Sequence, residues 1–325
     1  MNDVKRIEND PGIKTIVIVV EGGVGKVIAS TGVIKALAER FPDKRIVTIS
    51  GYPDIYEYSS HIYRNFNFNN TINFYDDYYV ERQDTYMIRY EPYVDYDYIV
   101  GKKHITQVWA NAIGLEDKIY KPYMRFLDTE ILAAKDYVKK NVTGKKKFAL
   151  IQWVGGMIPQ DQSELSFADA QVKMQRRSMR KDTIQHVVNK LTSRDYVIGT
   201  VQHINHPKIE GTIGIFFPIR AVILLLQHAD LFIGIASFLQ HASALEGMEK
   251  SGYVYWGGND PRNLGWEHNV NVSRTCDCKT PFCNRPNSHL HDRSVNGMWN
   301  CPYNDECMNF PVDKILKDVG LLEDK

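Results

Sequence analysis

The stretch Thr15-Ile-Val-Ile-Val-Val-Glu-Gly-Gly-Val-Gly-Lys26 is the strongest indication of the fold in the N-terminal half of the chain. Its first six residues are all β-branched and almost wholly apolar, which is typical of a strand buried on both faces of a parallel sheet. A glycine-rich turn follows, then a helical pattern over 27–40 and a second β-branched run over 45–50. Strand, turn, helix and strand form a βαβ unit, so the sequence predicts a parallel sheet with a right-handed crossover.

The same alternation returns in the C-terminal half, after the polar segment 141–147, which we interpret as a linker. The sequence therefore predicts an α/β protein with two domains, residues 1–143 and 144–325. Elements predicted in the first domain beyond the βαβ unit are a strand at 96–100 and helices at 103–113 and 129–140. Those predicted in the second are strands at 147–153, 195–201, 212–217, 231–235 and 253–256, and helices at 181–192, 220–228, 240–248 and 312–319.

Composition excludes several classes of protein. The 325 residues include 43% hydrophobic residues, as in an ordinary globular chain, and 40 basic against 39 acidic residues give a net charge of +1. Nucleic-acid binding by phosphate neutralisation is therefore not indicated by charge. The longest apolar runs, 15–20 and 221–226, are far shorter than the ~20 residues of a membrane span. With a polar N-terminus that lacks a signal-peptide core, the sequence predicts a cytoplasmic protein.

The first glycine-rich turn departs from the known nucleotide loops. Val20 and Val27 break the Walker A pattern, and Ile28 replaces the third glycine of the dinucleotide fingerprint. A glycine-rich turn that opens a helix still presents backbone N–H groups to an anion or a sugar. The alternative is a tight turn with no ligand. The candidate binding residues at this turn are Gly22, Gly23, Gly25 and Lys26.

Two segments of the second domain are candidates for binding a phosphate. Ser237 lies where a strand gives way to a helix, so it is a natural N-cap beside the N–H groups of Phe238 and Leu239, and His241 follows one turn later. The basic run 173–182, which includes Arg177 and Lys181, precedes another helix. The alternatives are an ordinary cap with a partly buried histidine, and a solvated basic surface.

These segments, taken in order, resemble the heptosyltransferase-like glycosyltransferases of family 9. The resemblance rests first on the strand, the glycine-rich turn and the small-residue helix that runs into Arg40-Phe-Pro-Asp43. It rests also on the segment 219–247, on Tyr255-Trp-Gly-Gly-Asn-Asp-Pro261, and on the late cysteine-rich stretch with its closing helix at 312–319. It implies a GT-B fold, in which two Rossmann-like domains with helix-flanked parallel sheets face each other. It also implies an acceptor-binding first domain and a second domain that binds the nucleotide-sugar donor.

The resemblance carries over to individual residues only in part. It implies that Arg177, Lys181, Ser237, Phe238, Leu239 and His241 bind the donor diphosphate, and that Gly22, Gly23, Gly25, Lys26 and Tyr52 line the acceptor side of the cleft. The family's general-base aspartate is replaced here by Lys26. The catalytic base is therefore open, with Lys26, Glu21 and Asp54 as the main candidates. The tyrosine-rich segment 52–79 holds three further carboxylates, Glu57, Asp76 and Asp77. Some of its tyrosines suit stacking on sugar or base rings, and others serve as core residues: Tyr52, Tyr56, Tyr75, Tyr78 and Tyr79.

All five cysteines, Cys276, Cys278, Cys283, Cys301 and Cys307, lie in the loop 276–307 together with His289 and His291. Their number suits a structural zinc site, but their spacing lacks the paired CxxC motifs of a zinc ribbon. A redox-sensitive cluster and thiols that simply pack the loop remain alternatives.

The expected function is metal-independent, inverting transfer of a sugar from a nucleotide-activated donor to a hydroxyl of a glycan or glycoconjugate. No cofactor is required in this hypothesis, because helix N-termini and basic side chains neutralise the leaving diphosphate. The loss of the family aspartate leaves two alternatives. One is a non-catalytic protein that binds a nucleotide-sugar or glycan, and the other is a transferase for a non-carbohydrate acceptor such as a modified nucleobase.

Overall fold

The computed structural model describes residues 2–144, 146–155, 177–203, 206–274, 282 and 305–322. The chain forms two compact units. Unit 1 comprises Met1–Leu127 with Ala244–Met248, and unit 2 comprises Asp128–Ser243 with Glu249–Lys325.

Unit 1 is built on a four-stranded sheet in the order β3-β2-β1-β4, with all named pairs parallel. The βαβ unit predicted from the sequence is confirmed, and its helix is buried along most of one face. The elements in chain order are α1 (Asp3–Asn9), β1 (Thr15–Val20), α2 (Val24–Arg40), β2 (Arg45–Ser50), β3 (Arg64–Asn67), α3 (Phe74–Tyr78), β4 (Thr85–Arg89), α4 (Tyr96–Ile99) and α5 (Ile105–Ile113), with 3-10 turns at Pro53–Tyr56 and Pro92–Val94.

Unit 2 has a six-stranded sheet in the order β10-β9-β8-β5-β6-β7, and its named strand pairs are also parallel. Its core lies between β5, β6, β8 and β9 and the helices α7 and α11. The elements are α6 (Asp128–Asn141), β5 (Lys147–Ile151), α7 (Lys181–Thr192), β6 (Tyr196–Val201), β7 (Ile213–Ile215), α8 (Ile219–Gln227), β8 (Leu231–Ile235), α9 (Phe238–Ala242), β9 (Tyr253–Trp256), α10 (Pro261–Leu264), β10 (Val270–Ser273), a 3-10 turn at Glu306–Met308 and α11 (Val312–Asp318).

The division of the chain falls earlier than the linker at 141–147 predicts. Helix α6 belongs to unit 2 because it packs against α8, where Glu130 accepts two hydrogen bonds, of 2.8 and 2.7 Å, from the buried Arg220 guanidinium. The polar segment 141–147 therefore lies within unit 2, and the boundary between the units lies before α6, at Leu127 and Asp128.

Two element predictions are wrong. Residues 96–100 were expected to form a strand because they are aromatic and apolar, but they form α4, whose first turn is capped by the Asp95 side chain accepting from the Asp97 N–H at 2.8 Å. The helix predicted at 240–248 ends at Ala242, because the chain then leaves for unit 1. There the Glu246 N–H donates to the Pro122 carbonyl (2.9 Å), and the Glu246 carboxylate pairs with Lys35 at 2.6 Å.

A close backbone approach fixes the path of the chain over α2. A Cβ added to Gly32 would lie 2.0 Å from the Lys121 carbonyl oxygen, and the neighbouring Thr31 hydroxyl accepts from the Tyr123 N–H at 2.8 Å. Only glycine therefore allows the segment around Lys121 to cross this helix.

None of the helices in the described part of the chain combines the length and the apolar character that a bilayer crossing demands.

Candidate functional site

Both sheets have a topological switch point, the place where successive strands are added on opposite sides of the first strand. In unit 1 it lies between β1 and β4, and in unit 2 between β5 and β8. In open parallel sheets, ligands bind at the carboxyl ends of the strands at this point, because the loops there diverge and leave a crevice. The fold therefore directs attention to the residues that follow these four strands.

At the switch point of unit 2, one buried side chain connects the two strands. Gln152 follows β5, and its amide donates to the Ser237 hydroxyl at 3.0 Å and accepts from the Leu239 N–H at 3.3 Å. Ser237 occupies the N-cap position of α9, as predicted, but its side chain makes no capping hydrogen bond. Gln152 thus satisfies a first-turn N–H that a capping serine would otherwise bind, and it orients the serine hydroxyl.

The Arg177 side chain joins the same cluster. Its guanidinium donates to the Ala236 carbonyl at 3.0 Å, immediately before Ser237. This approach requires Gly155, because a Cβ there would lie 2.6 Å from the Arg177 carbonyl oxygen. The structure thus brings Arg177 and Ser237, predicted from separate segments, to one sheet edge.

The other predicted donor residues differ in exposure. Lys181 is exposed at the start of α7. Phe238 is half-buried and opens α9. His241 is only 5% exposed, and its Nδ1 accepts from the Trp266 indole N–H at 3.3 Å. His241 is therefore buried next to Trp266.

At the switch point of unit 1, the glycine-rich turn lies directly over a buried lysine. Gly22 has a φ of +104°, and a Cβ there would lie 3.2 Å from Cδ of Lys26. Gly23 is the N-cap of α2, without a side-chain cap, and Gly25 lies in the first turn of that helix. The turn needs glycine for its left-handed backbone and its close approach to the lysine.

Lys26 forms an ion pair that the sequence did not predict. Its Nζ lies 2.5 Å from Oε2 of Glu91, 5.2 Å from the centre of the Tyr93 ring and 5.9 Å from that of Trp109. The lysine side chain is 2% exposed and that of Glu91 is 41% exposed. The second carboxylate oxygen of Glu91 accepts from the Tyr93 N–H at 3.2 Å. The Glu91 carboxylate is thus bound by Lys26 and by the Tyr93 N–H, while its side chain remains partly exposed.

The remaining candidates at this edge have other partners or positions. Both oxygens of Glu21 accept from the Arg89 guanidinium, at 3.1 and 2.7 Å, in an exposed pair. Asp54 lies in the 3-10 turn beyond β2, on the other side of β1 from β4. Burial, with a further contribution from the Asp54 carboxylate, raises the pKa of the half-buried Tyr52.

The tyrosines of the first domain separate into core and surface residues. Tyr56 is buried, with its hydroxyl 2.8 Å from the Ser30 hydroxyl, and burial raises its pKa well above the ordinary value. Tyr78 is buried against Phe66. Tyr75 on α3 and Tyr79 at its C-cap are exposed.

The predicted metal ligands fall largely outside the described residues. Cys276, Cys278, Cys283 and Cys301, with His289 and His291, lie in the ranges that the structure does not describe. Cys307 lies in the 3-10 turn before α11, where a Cβ on Gly257 would be 3.1 Å from its Sγ.

Comparison with known proteins places this arrangement in a structural class. No protein-family model and no curated protein sequence matches the chain. Among solved structures, it is similar to a family 9 glycosyltransferase from Veillonella parvula, with a TM-score of 0.62, 12% identity, and coverage of 82% of this chain and 88% of that chain. The chain has the fold of family 9 glycosyltransferases. The two helix-flanked parallel sheets expected from the sequence are thereby confirmed.

Two heptosyltransferases share the fold. The first is the iron-containing, dodecameric TibC of enterotoxigenic E. coli, solved in complex with ADP-D-β-D-heptose, with a TM-score of 0.59, 12% identity, and coverage of 95% of this chain and 76% of that one. The second is the ADP-heptose lipopolysaccharide heptosyltransferase II of E. coli, with a TM-score of 0.55, 8% identity, and coverage of 80% and 91%.

Two residues at the switch points, Gln152 and Glu91, are not predicted from the sequence. Gln152 was hidden inside the strand predicted at 147–153, although a polar residue at the carboxyl end of a buried strand is the signal that marks such sites. Glu91 follows β4, which was not predicted, so no local pattern placed it at a sheet edge.

Proposed function

We propose that the chain is a glycosyltransferase that moves a sugar from a nucleotide-activated donor to a hydroxyl of a glycan or glycoconjugate, with inversion and without a required metal. The observation that carries the proposal is the cluster of Gln152, Arg177 and Ser237 at the switch point of unit 2. It combines a cation, an oriented hydroxyl and the first turn of a helix, groups that suit a diphosphate. The fold shared with glycosyltransferases supports the same assignment.

The proposed division of labour follows the two units. Unit 2 holds the donor, with Arg177 and Lys181 offsetting the diphosphate charge that grows as the bond to the sugar breaks. Unit 1 offers the edge formed by the glycine-rich turn, Tyr52 and Glu91 to the acceptor. Because ADP-heptose is the donor bound to TibC and named for the E. coli enzyme, ADP-linked heptose is the first donor to test.

A metal at the cysteine-rich loop is a separate proposal. Five thiols with two nearby histidines suit zinc, which takes four such ligands in structural sites. A bound zinc ion would hold the loop together and take no part in the transfer. Metal analysis of the purified protein, with Cys301→Ser as comparison, tests this, and TibC shows that iron belongs in the same measurement.

The donor proposal is tested by a thermal-shift panel of ADP-, UDP-, GDP- and CMP-linked sugars and the free nucleotides. A ligand at a hundred times its Kd stabilises the folded protein by ~2.7 kcal/mol. One nucleotide should stand out. Arg177→Ala should weaken that shift, because the guanidinium lies beside Ser237.

Arg180→Ala is the matched control. It is also an arginine before α7, three positions along the chain, but it is exposed. Equal loss in both variants would show that the effect comes from the overall positive charge. A protein that binds a nucleotide-sugar but never releases the nucleotide from it would be the non-catalytic alternative.

A further inference from the structure

The Lys26–Glu91 pair lies at the switch point of unit 1, where the Glu91 side chain also caps the 3-10 turn Pro92–Val94. The glycine-rich turn follows β1 and Glu91 follows β4, and these adjacent parallel strands end at the same edge, with Val19 paired to Arg89. The Lys26 side chain is buried, but that of Glu91 is 41% exposed at the edge where ligands of such sheets bind.

Both oxygens of the part-buried Glu91 carboxylate are held by neighbouring groups. One oxygen is bound by the Lys26 ammonium and the other by the Tyr93 N–H. The lysine in turn is confined by the Tyr93 and Trp109 rings and by the turn at Gly22. A general base must be held within hydrogen-bond reach of the proton that it accepts, and this network provides such a fixed position.

Neighbouring groups are less suited to accept a proton. The Tyr90 hydroxyl donates to Asp95 at 2.7 Å, and burial together with this hydrogen bond raises the pKa of Tyr90. The pKa of Tyr52 is raised as well, so both phenols keep their protons at neutral pH. The Glu21 carboxylate pairs with the exposed Arg89 side chain, so no buried group fixes its position as Lys26 fixes that of Glu91.

Resting on the proposed function, we propose that Glu91 is the general base of the transfer and that Lys26 is the residue that positions it. The O–H bond of the acceptor breaks, and its proton passes to the Glu91 carboxylate. The electron pair released on that oxygen forms the new bond to the anomeric carbon. The bond from that carbon to the diphosphate breaks, its electron pair leaves with the nucleoside diphosphate, and Glu91 then returns its proton to water.

The test isolates the carboxylate in a background without a buried ammonium. Glu91→Gln alone leaves Lys26 without its counter-charge and can impair folding, so the comparison is Lys26→Met against Lys26→Met/Glu91→Gln. The assay is release of ADP from ADP-D-β-D-heptose with water as acceptor, beside the thermal shift with the same compound. We expect the double variant to release ADP at least about 100-fold more slowly than Lys26→Met, with an unchanged thermal shift.

Lys26→Met supplies the readout for the positioning role. It should lower kcat for ADP release and leave KM for ADP-D-β-D-heptose within about twofold, because the lysine orients the base and does not touch the donor. A change in KM alone would contradict this role.

Glu116→Gln is the matched control for removing a lysine-paired glutamate. The Glu116 carboxylate lies 2.7 Å from Lys118, whose ammonium lies 5.4 Å from the centre of the Tyr120 ring, but this pair is exposed and lies after α5. It should release ADP at the wild-type rate.

The outcomes separate the two proposals. Equal rates for Lys26→Met and Lys26→Met/Glu91→Gln, in a protein whose wild type releases ADP, overturn the role of Glu91 and leave the transferase intact. Loss of release in Glu21→Gln but not in the Glu91 variants assigns the base to Glu21. If the wild type neither releases nucleotide from any sugar nucleotide of the panel nor shows a thermal shift with one, the transferase is refuted, and the role of Glu91 with it.

Discussion

The Lys26–Glu91 pair should respond asymmetrically to the loss of its two members. The Lys26 side chain is almost completely buried, whereas that of Glu91 is 41% exposed. Removing the carboxylate by Glu91→Gln leaves a charge in the interior with only two aromatic rings and an amide oxygen beside it. Removing the ammonium by Lys26→Met leaves a carboxylate that can turn toward water, while the thioether chain keeps the contacts with Tyr93 and Trp109.

The magnitudes follow from the burial of each partner. Breaking a fully buried pair on one side costs about 3–5 kcal/mol, because the remaining charge is uncompensated. Solvent reaches the Glu91 side of this pair, so we expect Glu91→Gln to lower the free energy of unfolding by about 2 kcal/mol. Lys26→Met should cost under about 1 kcal/mol, because no charge is left buried. The double variant should resemble Lys26→Met, giving a coupling energy of about 2 kcal/mol.

Urea unfolding followed by tryptophan fluorescence measures these differences. Trp109 is the single tryptophan in the sequence of unit 1, and the Lys26 ammonium lies 5.9 Å from its ring, so it reports on this unit. Glu116→Gln, which opens an exposed pair, should leave the midpoint unchanged. If Lys26→Met lowers the free energy of unfolding as much as Glu91→Gln does, the buried ammonium is not the source of the asymmetry. A double variant less stable than either single variant would exclude it as well.

Three further predictions concern other parts of the chain. Gly32→Ala should destabilise unit 1 by about 1–3 kcal/mol in urea unfolding, because its Cβ would lie 2.0 Å from the Lys121 carbonyl, whereas Gly51→Ala, with nothing within 4 Å, should change little. Burial and then a neighbouring histidine lower the pKa of His206 from 6.5 to about 4, so the unfolded chain binds this proton first and the free energy of unfolding should fall as pH falls from about 6.5 to 4. His206→Asn should flatten that part of the stability–pH curve, and an unchanged slope would exclude His206 as its source. Gln152→Leu should raise the Kd of the preferred nucleotide sugar about tenfold in calorimetric titration, because the first turn of α9 and the hydroxyl before it lose their common partner; an unchanged Kd would place the donor elsewhere.

Elements whose signal is local were predictable from the sequence. The strand at Leu231–Ile235, the strand at Tyr253–Trp256 and the helix at Lys181–Thr192 have the predicted bounds. Parallel strands buried on both faces are continuous apolar runs, and amphipathic helices repeat their apolar residues every turn, so neighbours in sequence are sufficient to define them. Ser237 was likewise placed at its N-cap by the end of a strand and the start of a helix.

Elements whose stability comes from distant partners were missed. The strand Arg64–Asn67 is polar and lies at the edge of its sheet, so it lacks the apolar pattern of a buried strand. The aromatic segment Tyr96–Ile99 has the composition of a strand, but the Asp95 cap makes it helical. The sequence of α6 does not indicate that the helix belongs to unit 2, because its contacts with α8 connect distant parts of the chain.

Local patterns in the sequence thus predict the α/β class, the alternation of strands and helices, and several residues that follow buried strands. Which of those residues meet depends on the order of the strands in each sheet, because strand order sets the position of each switch point. Glu91 lies 65 residues from Lys26, and Gln152 lies 85 residues from Ser237. Contacts at such separations are produced by the packing of parallel strands side by side, and no periodicity within either segment encodes them.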